Sequence, residues 1–223
     1  MVASRLTPLQ RDLLEAFFRH ETRFFLTGGG ALAGYYIGHR DTADLDLFTS
    51  EDLLAEGEAA LHAAASEAGA SLENIQTAPD FRRRLARREA EGIVVDLVRD
   101  RAPQGSEPKV QFGSVRVDPP EEILANKLCA LLSRAEIRDL VDVFALERAG
   151  HRAESVVVLA GQKDAGLTPA QLAWVLSQIA IGDDAAIPGG VSPTELRSFL
   201  SDLIARLTRL SFPGADGRRW HLQ

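Results

Sequence analysis

At Pro119 the spacing of apolar residues in this 223-residue chain changes, and the change limits the architectures open to it. Upstream, short runs with strand periodicity alternate with amphipathic helical stretches. Thr7 and Pro8, followed by Leu9, Leu13, Leu14, Phe17 and Phe18, predict a helix with Thr7 as N-cap and Pro8 at its first position. Strands are predicted at Arg23 to Thr27, Asp44 to Thr49, Ser71 to Thr77, Phe81 to Arg88, Gly92 to Val98 and Val110 to Val117, with helices at Ala31 to Ile37 and Ser50 to Ala68. Downstream, apolar residues recur only at helical spacing, in Ile123 to Leu132, Leu140 to Leu146, Val156 to Gly161, Leu172 to Ile179 and Leu196 to Leu210. Asp183 to Pro193, with Pro188, Gly189 and Gly190, reads as a loop, and Phe212 to Gln223 as a loose tail. The expectation is a mixed α/β (α+β) domain over 1–118 followed by a helical bundle over 119–223.

Within the first half, FFLTGGGALAG sets Gly28, Gly29 and Gly30 where a strand feeds a helix, so backbone amides can face an anion with no side chain in the way. A plain tight turn or a loose dinucleotide fingerprint would use the same glycines, whereas a P-loop is excluded because no Lys-Ser or Lys-Thr pair follows. The next segment, DTADLDLF, narrows the choice. Asp44 and Asp46 are two apart on a strand and project from one face, leaving Leu45 and Leu47 for the core. Like charges held side by side call for a neutralising cation, and magnesium or manganese with oxygen ligands suits them. Asp96 then interrupts the apolar run GIVVDLV, where an isolated ionised carboxylate is costly without a partner. Together the three carboxylates and the glycines predict a metal-phosphate site.

Composition closes off other classes. A formal net charge of −7 argues against bulk electrostatic coating of nucleic acid, although a local basic patch stays open. Cys129, the single cysteine, rules out an internal disulfide and a multi-cysteine zinc site, and fits a reducing compartment. His20, His39, His62, His151 and His221 lack ligand spacing, and Trp174 and Trp220 lack aromatic neighbours for a base-stacking platform. Met1 to His20 has no basic start followed by an apolar run, and no segment is apolar enough to span a bilayer, so the expected location is the cytoplasm, with no membrane partner.

The segment LTGGGALAGYYIGHRDTADLDLF resembles the opening motif of the abortive-infection (AbiEii/AbiGii-type) nucleotidyltransferase toxins, a branch of the polymerase-beta-like nucleotidyltransferase superfamily. EEILANKLCALLSRAEIRDLVDVFAL resembles that family's second signature, so the likeness runs from about Phe24 to Leu146. It implies a nucleotidyltransferase-type mixed sheet with flanking helices, followed by the helical domain. It implies too that Gly28, Gly29 and Gly30 hold nucleotide phosphates, that Asp44, Asp46 and Asp96 hold metal, that Lys127 contacts the triphosphate and that Asp139 completes the site. One departure is Gly30, where relatives often carry serine or threonine. The family also implies an NTP co-substrate, a cognate antitoxin and, from some members, transfer RNA as acceptor. A small-molecule acceptor such as an aminoglycoside, or a non-catalytic nucleotide- or partner-binding module, are the competing readings.

Lys127, Arg134 and Arg138 are spaced by seven and then four, which lines them on one face of an unbroken helix. If the chain turns near Ser133, Arg138 and Asp139 instead open a new helix, where Asp139 favours the positive end of the dipole. Arg82, Arg83, Arg84, Arg87 and Arg88 form the dense basic run; alternation divides Arg82, Arg84 and Arg88 from Arg83 and Arg87, and solvated strand surface is the favoured reading over an RNA guide. Arg40 can neutralise phosphate or pair with Asp41 or Asp44.

Overall fold

The structure, a computed structural model, describes residues 4–105 and 108–211, and the predicted tail with Trp220 and His221 lies outside them. The chain separates into two compact units, Met1–Ile123 and Leu124–Gln223. The first opens with α1 (Pro8–His20), capped as its sequence predicts: the Thr7 hydroxyl accepts from the Gln10 amide at 3.2 Å, and the Gln10 side chain returns to the Thr7 amide at 2.9 Å. Gln10 Nε2 also donates to the Thr42 carbonyl at 2.9 Å, which ties α1 to the segment that enters the carboxylate strand.

Seven strands follow around α2 (Gly28–Ala31) and α3 (Leu54–Glu67): β1 (Phe25–Thr27), β2 (Asp44–Thr49), β3 (Ser71–Ala78), β4 (Phe81–Arg88), β5 (Glu91–Arg99), β6 (Val110–Phe112) and β7 (Val115–Val117). They form one mixed sheet in the order β3-β4-β5-β2-β1-β7-β6, with β2 parallel to β5 and β1 parallel to β7. One face is apolar. Leu45, Leu47, Val95 and Leu97 are buried there, on the side where the α3 residue Glu58 meets Arg84. Leu9, Leu13, Leu14, Phe17 and Phe18 of α1 and Leu54, Leu61 and Ala64 of α3 complete this core.

Two local expectations change. The run predicted as one strand over Val110 to Val117 is a hairpin, because Gly113 at φ +60° allows the chain to reverse between β6 and β7. The glycines predicted as a free turn ahead of a helix at Ala31 are themselves helical, and a π-helical turn at Leu32–Tyr36 continues them.

The second unit is helical. α4 (Pro120–Arg134) begins in the first unit and runs into it, followed by α5 (Ile137–Arg148), α6 (Ala153–Lys163), α7 (Pro169–Leu176), a 3₁₀ turn at Pro188–Gly190 and α8 (Pro193–Ser211). Leu128, Leu131, Leu140, Leu146, Leu172, Leu196, Leu203 and Leu207 are buried, as their helical spacing requires. Arg206 on α8 gathers Glu147 of α5 at 2.7 Å, Glu154 of α6 at 2.5 Å and Asp202 at 2.8 Å. Among the described residues no helix is long and apolar enough to cross a membrane.

Candidate active site

Strand register builds the site. Thr27 on β1 faces Asp46 on β2, Asp46 faces Asp96 on β5, and Asp96 faces Arg83 on β4. Residues paired this way project from the same face with neighbours about 5 Å apart, so the four side chains form a row across the sheet. Asp44, two positions before Asp46, shares that face opposite Val94. It is the face turned away from the Leu45 and Leu47 core, which is why acidic residues are tolerated in the middle of a sheet.

The glycine segment is seated against the same row. Gly28 has φ +64°, and a methyl group added there would run into the Asp46 carboxylate. A Cβ on Gly29 would lie 2.9 Å from Arg40 Nη2, and one on Gly30 would lie 3.3 Å from Leu45 Cδ2. The absence of side chains therefore lets this segment pack directly onto β2 and under Arg40. Arg40 is buried and donates to the Asp41 carbonyl at 3.0 Å. The Thr42 hydroxyl donates to Asp44 Oδ1 at 2.5 Å, fixing that carboxylate's rotamer.

Asp96 is held differently. Arg83 Nε donates to Oδ1 at 2.8 Å and Nη2 to Oδ2 at 2.7 Å, a bidentate pair. The hydrogen bond to Asp96 raises the Arg83 pKa against the cost of its partial burial, and the charges of Asp96, Asp46 and Asp44 add to that effect. One guanidinium thus feels all three carboxylates. The remaining basic run is absorbed elsewhere, which corrects the solvated-surface reading. Arg84 is buried and bonded to Glu58, Asn74 Oδ1 at 2.8 Å and the Gln76 carbonyl at 2.9 Å. Arg82 lies 3.5 Å from Glu58, and Arg88 lies 2.6 Å from Asp12. Only Arg87, 60% exposed, behaves as strand surface. Alternation separated Arg83 from Arg84 in the sequence, but nothing local could show that Arg83 stands opposite Asp96.

Lys127 and Asp139 belong to the second unit and meet each other there. Lys127 Nζ lies 2.8 Å from Asp139 Oδ1 and 2.7 Å from Asp142 Oδ2, all three residues being buried. Arg134 Nε reaches Asp139 Oδ2 at 2.8 Å. Burial works against the Lys127 ammonium, but Asp142 and Asp139 outweigh it and hold its pKa above the ordinary lysine value. Burial pushes the Asp139 carboxyl up, yet the Arg134 hydrogen bond and the Lys127 charge bring it below the ordinary aspartate range. Of the two geometries the sequence left open, the turned one forms: α4 stops at Arg134, Ala135 takes φ +50°, and Asp139 lies in the first turn of α5. Another buried ion pair, which the sequence did not signal, joins Lys109 to Asp118 at 2.8 Å with the ammonium 4.3 Å from the centre of the Phe25 ring.

Asp44 and Asp46 offer hard oxygen donors on one face, the chemistry a magnesium or manganese ion takes. Both Asp96 oxygens are already engaged by Arg83, and among the described residues no cluster of three or more His, Cys, Asp or Glu side chains is arranged to hold a metal. The aspartate pair fits a cation; the third carboxylate fits only with Arg83 moved aside.

Two Helicobacter pylori structures are similar to this fold. JHP933 superposes with a TM-score of 0.54 at 20% identity, covering 91% of this chain and 92% of its own. A second structure from that organism, solved as that of a candidate nucleotidyltransferase, gives 0.54 at 20% identity with 91% and 94% covered. No curated protein sequence matches. At that identity the likeness speaks for the fold, and the sequence speaks for the family. Residues 11–209 match the family described as the nucleotidyl transferase AbiEii toxin of a type IV TA (toxin–antitoxin) system, so this chain, with its glycine segment seated on an aspartate strand, belongs to that family and is a nucleotidyltransferase.

Proposed function

We propose that the enzyme transfers a nucleoside monophosphate from an NTP to a hydroxyl of RNA, with transfer RNA as the acceptor, and that it is the toxin of a pair whose antitoxin is a cognate protein. The observation that carries the chemical part is the row of Asp44, Asp46 and Asp96 on one sheet face with Gly28 packed against Asp46. The family description, a toxin of a type IV system, supports the antitoxin partner. The acceptor class follows from the family resemblance.

In this reading the acceptor oxygen attacks the α-phosphorus, the bond to the β-phosphate oxygen breaks, and pyrophosphate leaves. The amides of Gly28, Gly29 and Gly30, with Arg40 beside them, restrain the phosphates so that attack is in line. Asp44 and Asp46 would hold a divalent cation, magnesium or manganese, whose chemistry there would be charge neutralisation at the phosphate oxygens and acidification of the attacking hydroxyl. Asp96 joins that ligand set and accepts the hydroxyl proton. The family resemblance assigns the triphosphate contact to Lys127, whose ammonium is paired with Asp139 and Asp142.

The test incubates the protein and magnesium with each α-labelled NTP and total cellular RNA. Label should enter a band of transfer-RNA size from one NTP. Asp46→Asn should lower incorporation by more than about a hundredfold without changing the melting temperature, because a cation ligand is lost while like-charge repulsion is relieved. Full incorporation by that variant would reject the assignment of Asp46.

A further inference from the structure

Arg83 is the one member of the basic run of β4 that stands on the carboxylate face in register with Asp96. Its relation to Asp96 is unequal in burial: the Asp96 side chain is 8% exposed and that of Arg83 is 42% exposed. An ionised carboxylate set so deep in an apolar strand needs a countercharge, and the fork of Arg83 supplies it through both oxygens. Arg84, one residue away on the other face, shows what a fixed arginine of this strand looks like: 5% exposed, and bonded to Glu58, Asn74 and the Gln76 carbonyl. Among the described residues the side-chain hydrogen bonds of Arg83, by contrast, go to Asp96 alone, with the Phe81 ring centre 5.4 Å from its guanidinium carbon. A half-exposed guanidinium held mainly by one carboxylate can swing into solvent at modest cost.

We infer that Arg83 is a positioning residue that competes with the divalent cation for Asp96, holding the third carboxylate in place in the metal-free protein and yielding it when the cation enters. The inference rests on the assignment of Asp44, Asp46 and Asp96 as the cation-holding face. Physically, Asp96 stands between Arg83 on β4 and Asp46 on β2, and the bidentate fork turns both carboxylate oxygens toward β4, so sharing a cation with Asp46 requires the carboxylate to turn away from Arg83. Arg83 therefore sets the cation affinity of the site through Asp96. A merely structural ion pair would set fold stability and leave cation affinity alone.

Manganese binding to the full-length protein, measured by calorimetric titration without nucleotide, tests this, with thermal melts showing that each variant is folded. Arg83→Gln should bind manganese about tenfold tighter than wild type, because the competing charge-assisted hydrogen bonds are gone. Arg83→Lys keeps the positive charge but loses the fork, and should also bind tighter, by a smaller factor; it carries the test alone if the glutamine variant does not fold. In an Asp96→Asn background, Arg83→Gln should tighten binding far less, because only the longer-range charge on Asp44 and Asp46 is then removed. Unchanged or weaker binding in both Arg83 variants overturns the inference, and so does equal tightening in the Asp96→Asn background, which would reduce the effect to bulk charge. The underlying site assignment is judged separately. If wild type binds manganese and Asp46→Asn binds it equally well, the cation-holding face itself is wrong. Absence of binding in wild type and in both Arg83 variants overturns both statements, whereas binding that emerges only once Arg83 is replaced supports the competition.

Discussion

Gly28 shows how a single residue couples backbone conformation to the site. Its φ of +64° disfavours any L side chain, and the added methyl group would point into the Asp46 carboxylate. Gly28→Ala should therefore lower stability by about 1–2 kcal/mol and abolish nucleotidyl transfer, since the Asp46 rotamer must give way. Gly30→Ala is the matched comparison, because its added methyl group would lie 3.3 Å from Leu45 Cδ2, a side-chain end that can adjust. Melting curves and label transfer on the two variants check this, and equal behaviour would show that the glycine segment does not depend on contact with Asp46. At this scale the sequence was informative about residue types, and the alternation in DTADLDLF correctly separated Leu45 and Leu47 from the acidic positions.

At the scale of elements, the break between α4 and α5 matters most. On an unbroken helix Lys127 and Asp139 would stand about 18 Å apart along the axis. The reversal at Ala135 brings them to 2.8 Å and adds Asp142 and Arg134 to the same buried network. Lys127→Met should cost about 3 kcal/mol, near the lower end for removing one partner of a buried pair, because Arg134 still serves Asp139. Urea titration measures the cost directly. A loss of transfer with an unchanged midpoint would mean that the network contributes nothing to folding and serves the chemistry alone. The sequence offered a turn near Ser133 as one of two geometries, but a run of good helix formers from Leu124 to Arg134 is equally compatible with an unbroken helix, so it did not choose between them.

For the whole molecule, the paired carboxylates set the response to acid. Burial raises the Asp139 and Glu154 carboxyls, but hydrogen bonds from Arg134 and Arg206 respectively bring both below their ordinary values of 3.8 and 4.5. The Arg23 hydrogen bond likewise holds Glu21 below 4.5. Groups depressed in this way contribute stability that is complete above the unfolded value and is lost as pH falls through the folded one. Asp118 has the opposite sign: burial raises it despite Lys109, so the folded chain binds that proton more readily and its contribution improves on acidification. Calorimetric melting temperatures between pH 7 and pH 3 should accordingly hold steady down to about 4.5 and then fall, with Asp118 offsetting part of the loss within its own unit. A melting temperature independent of pH down to 3 would contradict the pairing of Asp139 and Glu154.

The periods of hydrophobicity, read along the chain alone, determined most of the strands and helices, and which face of β2 carries its acids. These are local properties, because side-chain direction follows from backbone period. Partnership across strands is not local. That Asp46 stands beside Asp96, that Arg83 rather than Arg84 faces them, and that Lys127 is folded back onto Asp139 and Asp142 were decided by register and chain reversal, which depend on how distant segments pack.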